Sequence, residues 1–178
     1  MRCRRVIAVI SVFLLCPGVL FAGDKYLGTF YSFKNSGVCF LSINDSSRQF
    51  SKTDLILDFS GLVSGETDMP GYSLRYARGS FLRDWELPTG TKMHLFAGPG
   101  ALGGYLRDFD GVFGPTFAMS GMAGLFFEME RGVSLSLSFS ADLGVHVKSI
   151  QGRNTLRLYR NGLIRSFSPE VHILFRLR

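Results

Sequence analysis

Beyond residue 22 the sequence contains no apolar stretch long enough for a helical membrane span, which takes about 18 to 20 consecutive apolar residues. Helical spans are therefore excluded there. Cysteine is nearly absent: Cys3 and Cys16 fall at the N-terminus, and Cys39 stands alone in the remainder. No disulfide framework staples the chain. A single thiol with no histidine nearby in sequence reads as a small packed hydrophobe, not as a nucleophile or zinc ligand. Histidine is scarce as well, limited to His94, His146 and His172. Charged residues make up 19%, and the formal excess of +6 falls to +3 once Arg2, Arg4 and Arg5 are set aside. Such a field gives no reason to expect nucleic acid. Internal repeats, low-complexity linkers and long helical periods are missing, and 178 residues suit one domain.

The N-terminus reads as an address. Arg2, Arg4 and Arg5 precede an apolar run over residues 6–15, and Pro17-Gly18 interrupts it before Val19-Leu20-Phe21-Ala22. This order predicts a signal peptide over 1–22, cleaved after Ala22, and an exported domain over 23–178. An uncleaved anchor would need a longer unbroken run. Leu14-Leu15 ahead of Cys16 do not suit a lipoprotein signal.

What the sequence does hold is 17 Phe, 21 Gly and a positive mean hydropathy, arranged in short runs of β-formers between turn residues. Strands are expected over 26–33 and 38–43 about the turn Lys34-Asn35-Ser36-Gly37, then over 54–63, 72–79, 92–105, 116–129 and 133–147, with a last strand ending at Leu177. Eight strands in consecutive antiparallel order predict an all-β, up-and-down barrel. Asn161-Gly162 carries a type I′ hairpin signal. The lengths on either side of it do not match, so residues 149–154 are expected to bulge or loop out.

Residues 133–147 read VSLSLSFSADLGVHV, with apolar side chains at the odd positions. That run exceeds the usual strand of about 5 or 6 residues and suits a tilted transmembrane strand of about 9 to 11. Val171, Ile173, Phe175 and Leu177 alternate likewise, as do Leu55, Leu57 and Phe59. The opposite faces carry Ser, Gly and isolated charges of both signs, which suit the narrow, filled interior of an eight-stranded barrel. The apolar face is therefore expected to meet lipid. A lumen network is expected from Asp54, Asp58, Arg75, Glu128, Asp142, His146, Glu170, His172 and Arg176, with Lys92 and His94 near it. Phe96, Phe126 and Leu174 are expected to point inward and block passage.

In this pattern the sequence resembles the small outer-membrane β-barrel proteins of Gram-negative bacteria, including short barrels of Bacteroidota. The resemblance covers the signal segment and residues 26–177, and it rests on pattern without a signature motif. It implies an outer-membrane location, insertion by the barrel assembly machinery, termini in the periplasm, short periplasmic turns such as Glu130-Arg131-Gly132, and longer outer loops. The family usually ends on an aromatic residue facing lipid; here Arg178 follows Phe175 and Leu177.

With termini in the periplasm, residues 148–166 face outward and hold Lys148, Arg153, Arg157, Arg160 and Arg165 with no acidic residue. These are candidates to neutralise lipopolysaccharide phosphates, beside the plainer reading of a solvated hairpin. The expected function is a non-enzymatic, monomeric envelope protein without cofactor, metal or catalytic residue. Two alternatives stand beside it. A lipid A-modifying barrel, an acyl hydrolase or acyltransferase, would need a Ser, His and carboxylate within hydrogen-bond reach; no His-x-Ser motif of deacylase barrels is present. A narrow pore for small apolar molecules would need a lateral opening, for which Gly98, Gly100, Gly103 and Gly104 mark a flexible stretch.

Overall fold

The computed structural model describes residues 23–33, 35–59, 62, 70–107, 113–129, 132–150, 153–160 and 168–177. The expected signal peptide and its cleavage site lie outside them. Nine strand segments follow one another: β1 (Asp24–Tyr31), β2 (Asn35–Asn44), β3 (Gln49–Asp58), β4 (Gly71–Glu86), β5 (Lys92–Arg107), β6 (Phe113–Glu128), β7 (Val133–Ile150), β8 (Arg153–Arg160) and β9 (Ser168–Leu177). From β1 to β7 each pairs antiparallel with the next. Strand β9 pairs with both β7 and β1 and closes the sheet. The fold is an all-β, antiparallel, up-and-down barrel with eight strand positions. No helix among the described residues is long and apolar enough to cross a membrane.

The register fixes the barrel's shape. Partners followed around the wall run Val133, Phe175, Leu27, Phe40, Thr53, Tyr76, Ala101, Met119 and back to β7 at Leu143, ten residues beyond the start. A stagger of ten over eight strands, at about 3.3 Å per residue and about 4.8 Å between strands, tilts the strands by about 40°. Side chains fill an interior of that width.

The eighth position is shared, which corrects the expected single last strand. Strand β8 pairs with the far half of β7, from Ile150↔Arg153 to Leu143↔Arg160, while β9 pairs with the near half, from Ser140↔Ser168 to Val133↔Phe175. Between the two ladders, Ala141 and Asp142 on β7 correspond to residues 161–167, a net insertion of five. Ser149 and Asn154, expected to loop out, pair with each other. Residues 151–152, between β7 and β8, and Asn161-Gly162, within the insertion, lie outside the described residues. A turn signal is local: it marks a reversal without saying which strands flank it.

Other boundaries move for similar reasons. Ser32 N donates to Asn35 O at 2.8 Å, and Asn35 N donates to Ser32 Oγ at 3.2 Å. This places the first turn earlier than expected and puts Asn35, Ser36 and Gly37 in β2, opposite Asp58, Leu57 and Ile56. Strand β3 begins five residues before the expected position 54. Strand β4 runs past Gly79 to Glu86 through a bulge between Phe81 and Arg83; such bulges let a strand bend and continue.

Inside, side chains form layers. Towards the end carrying the short turns, Tyr26, Leu41, Phe50, Phe96, Phe126 and Leu174 are buried. Tyr26 meets Phe126 edge-on at 5.6 Å, and Phe50 meets Phe96 at 5.3 Å. Towards the opposite end, Ile56, Leu102, Leu106 and Ala118 are buried. Gly124 makes room for the aromatic layer: a Cβ there would stand 2.9 Å from Phe96 Cζ and against the Leu137 carbonyl oxygen. Gly124→Val should therefore destabilise by about 1–3 kcal/mol through overpacking, seen as a lower urea midpoint with an unchanged slope.

Candidate functional site in the barrel lumen

Between the two apolar layers lies a polar centre. Alternation along each strand turns Lys52 and Asp54 of β3, Ser138 and Ser140 of β7, and Glu170 and His172 of β9 inward in pairs two residues apart. Arg75 of β4 stands opposite Asp54, and Cys39 of β2 flanks Asp54 on its other side. All eight are buried.

Arg75 is the hub. Its Nε and Nη2 donate to Asp54 Oδ2 at 3.1 and 2.9 Å, and Nη2 also donates to Glu170 Oε1 and Oε2 at 2.8 and 2.7 Å. Strands β4 and β9 are four positions apart on the circle, so this contact crosses the lumen and ties opposite walls together. Ser140 Oγ donates to Glu170 Oε1 at 2.9 Å, and Lys52 Nζ lies 3.1 Å from Asp54 Oδ2. Charge-assisted bonds of this kind offset the desolvation that buried ions incur.

His172 completes the centre. Its Nε2 lies 3.0 Å from Ser138 Oγ, 3.3 Å from Glu170 Oε2 and 3.3 Å from Lys52 Nζ, and its ring packs 5.1 Å from that of Phe30. Ser, His and a carboxylate are thus close, but in the wrong arrangement for a hydrolase. A catalytic triad places the nucleophile on one imidazole nitrogen and the carboxylate on the other, whereas here both address Nε2. The neighbouring cavity, lined by Leu41, Phe50, Phe96, Phe126, His172 and Leu174 among others, has room for about one water. An acyl chain does not fit there.

The remaining expected network residues lie elsewhere. Asp142 stands opposite Ser120 and is half-buried, and its Oδ1 makes no hydrogen bond among the described residues. His146 is buried towards the loop end, with Nδ1 2.7 Å from Thr116 Oγ1. Asp58 is half-buried at the loop end and Glu128 at the turn end. Arg176 is on the expected face of β9 but lies exposed at the turn-end rim, where Nη2 donates to Asp24 Oδ1. His94 pairs with Asp84 at 2.8 Å, beside an Arg48–Asp84 ion pair of 2.7 Å. The three histidines therefore have three separate sets of partners. Lys92 is exposed at the start of β5.

Lys52 and Cys39 were not among the expected network residues. Of the basic candidates, Lys148, Arg153, Arg157 and Arg160 have described backbones in β7 and β8, where Arg157 registers with His146 and Arg160 with Leu143. Their side chains and the whole of Arg165 lie outside the described residues. No protein-family model, curated protein or solved structure matches the chain.

Proposed function

We propose that this chain is a non-enzymatic, monomeric outer-membrane β-barrel protein, exported by its N-terminal segment, with its apolar outer wall in lipid. The observation that carries this reading is the outer wall. Phe117, Met119 and Leu143 are 62%, 76% and 58% exposed, and Leu55, Val145, Val171, Ile173 and Phe175 continue the same surface around the barrel. Contiguous apolar area of that extent is unfavourable against water and natural against hydrocarbon.

The ends of the band fit the same reading. At the loop end, Tyr72, Tyr105 and Phe113 stack in succession at 6.0 and 5.9 Å. At the turn end, the Arg83 guanidinium lies 5.3 Å from the Trp85 ring centre. The distance from Tyr72 to Trp85 along tilted β4 corresponds to a height of about 30 Å, the thickness of a bilayer core. Aromatic girdles belong at such boundaries. Arg78 interrupts the apolar wall about midway between Tyr72 and Trp85; its stem runs along the wall and its Nη2 donates to Gln49 Oε1 at 3.0 Å, carrying the charge towards the turn end.

Export and insertion then place the loop end outside, where the β7–β8 hairpin carries Lys148, Arg153, Arg157 and Arg160, followed by Arg165. Their charge supports contact with lipopolysaccharide phosphates or an acidic external partner. The filled lumen argues against a pore, and the single-nitrogen arrangement at His172 argues against acyl chemistry.

The test is electrophoretic mobility of boiled and unboiled samples from fractionated expressing cells. A heat-dependent shift in the outer-membrane fraction is the expected result. Recovery in the soluble periplasm would overturn the proposal.

A further inference from the structure

Two buried atoms at the polar centre lack partners among the described residues: Asp54 Oδ1 and His172 Nδ1. Each belongs to a side chain whose other end is firmly held. Arg75 and Lys52 both address Asp54 Oδ2, leaving Oδ1 unused. His172 Nε2 is held between Glu170 Oε2 at 3.3 Å, Ser138 Oγ at 3.0 Å and Lys52 Nζ at 3.3 Å; we place its proton there, towards Glu170. Nδ1 then carries a free lone pair. A buried polar atom without a partner is costly, so the two call for an occupant.

Cys39 supplies the third donor: one ligand atom from each of Cys39, Asp54 and His172 lies within 4.8 Å of the others. We propose that Cys39 Sγ, an Asp54 carboxylate oxygen and a His172 ring nitrogen form a buried binding site for a divalent transition-metal ion of the zinc class, with Oδ1 and Nδ1 as the donors the network leaves open. Sulfur, nitrogen and oxygen donors together suit zinc and its borderline neighbours and do not suit calcium or magnesium. The outer contacts have the form such sites use: a carboxylate on the far imidazole nitrogen and cations on the far carboxylate oxygen, both fixing the ligands' orientation.

Lys52 and Arg75 balance Asp54 and Glu170, so the centre is neutral while Cys39 keeps its proton. Binding M²⁺ breaks the Sγ–H bond, forms the Sγ–M bond and releases H⁺ to solvent. The added charge is +1, which half-buried Asp142, whose charge acts on Arg75, offsets in part. Cys39 is buried in the core, as expected of a packed thiol, and the proposal adds a ligand's role to it.

The test uses cobalt(II) as a spectroscopic stand-in, supplied to the full chain during refolding and, separately, after it. One equivalent bound per chain is expected, with a near-ultraviolet thiolate-to-cobalt charge-transfer band and the visible bands of a four-coordinate ion, both bleached by zinc. C39S should abolish the charge-transfer band, and H172Q should weaken cobalt binding at least about tenfold. A wild-type chain, shown to be folded, that develops no thiolate band under either protocol overturns the proposal. So does a C39S chain that keeps the full spectrum. The wild-type result stands alone if a variant fails to fold.

Discussion

Replacing Arg75 with methionine should destabilise the barrel by about 3–5 kcal/mol, because it leaves the two buried carboxylates of Asp54 and Glu170 with Lys52 as their one full cation among the described residues. The wild-type guanidinium makes four hydrogen-bond contacts to Asp54 and Glu170. Methionine fills similar volume, so the loss reports charge and not a cavity. Urea unfolding followed by the single tryptophan, Trp85, gives the measurement. The pairing is tested by R75M/E170Q, which removes one charge of each sign and retains the Lys52–Asp54 pair. The double variant should be more stable than R75M alone by about 1.5 kcal/mol or more, since removing both partners of a buried pair costs less than stranding one. Strictly additive losses, or an R75M chain within about 1 kcal/mol of wild type, would show that the network is not what holds the opposite walls together.

How much of this arrangement was legible depends on what alternation encodes. In β7 one face is Ser134, Ser136, Ser138, Ser140 and His146, all buried, and the other is apolar and more exposed, so the period of two named the face correctly. Phe96, Phe126 and Leu174 point inward and are buried for the same reason. Parity says nothing of depth. Asp58, Glu128 and Arg176 share faces with buried residues, yet they sit at the ends of their strands where solvent reaches them. In β2, Cys39, Leu41, Ser42 and Ile43 are all buried, so its two faces cannot be told apart from composition. The closeness of Cys39 to His172 needs the β1–β9 closure and the ten-residue stagger, and neither is written in any local motif. The split eighth strand was hidden likewise, because five extra residues change the register without changing the local pattern on either side.

The outer wall gives the second large effect, and its sign depends on what surrounds the barrel. Val171 faces outward midway along β9, flanked by Leu137 on β7 and Tyr31 on β1. In lipid, Val171→Arg should cost about 2–4 kcal/mol, the range for a cation near the midplane of a transmembrane barrel. The same change on a water-facing wall should stay within about 0.5 kcal/mol, since arginine keeps its stem on the surface and hydrates its head. Leu156 supplies the depth control. It is exposed on β8, opposite Val147 and beyond the aromatic boundary, and Leu156→Arg should cost no more than about 1 kcal/mol, as near a membrane interface. Reversible urea unfolding in vesicles measures both. A large loss at 171 with little at 156 would locate the hydrocarbon along the wall. Equal, near-zero losses at both would mean that water surrounds the barrel, because a guanidinium introduced at midplane carries a cost in hydrocarbon that water does not impose.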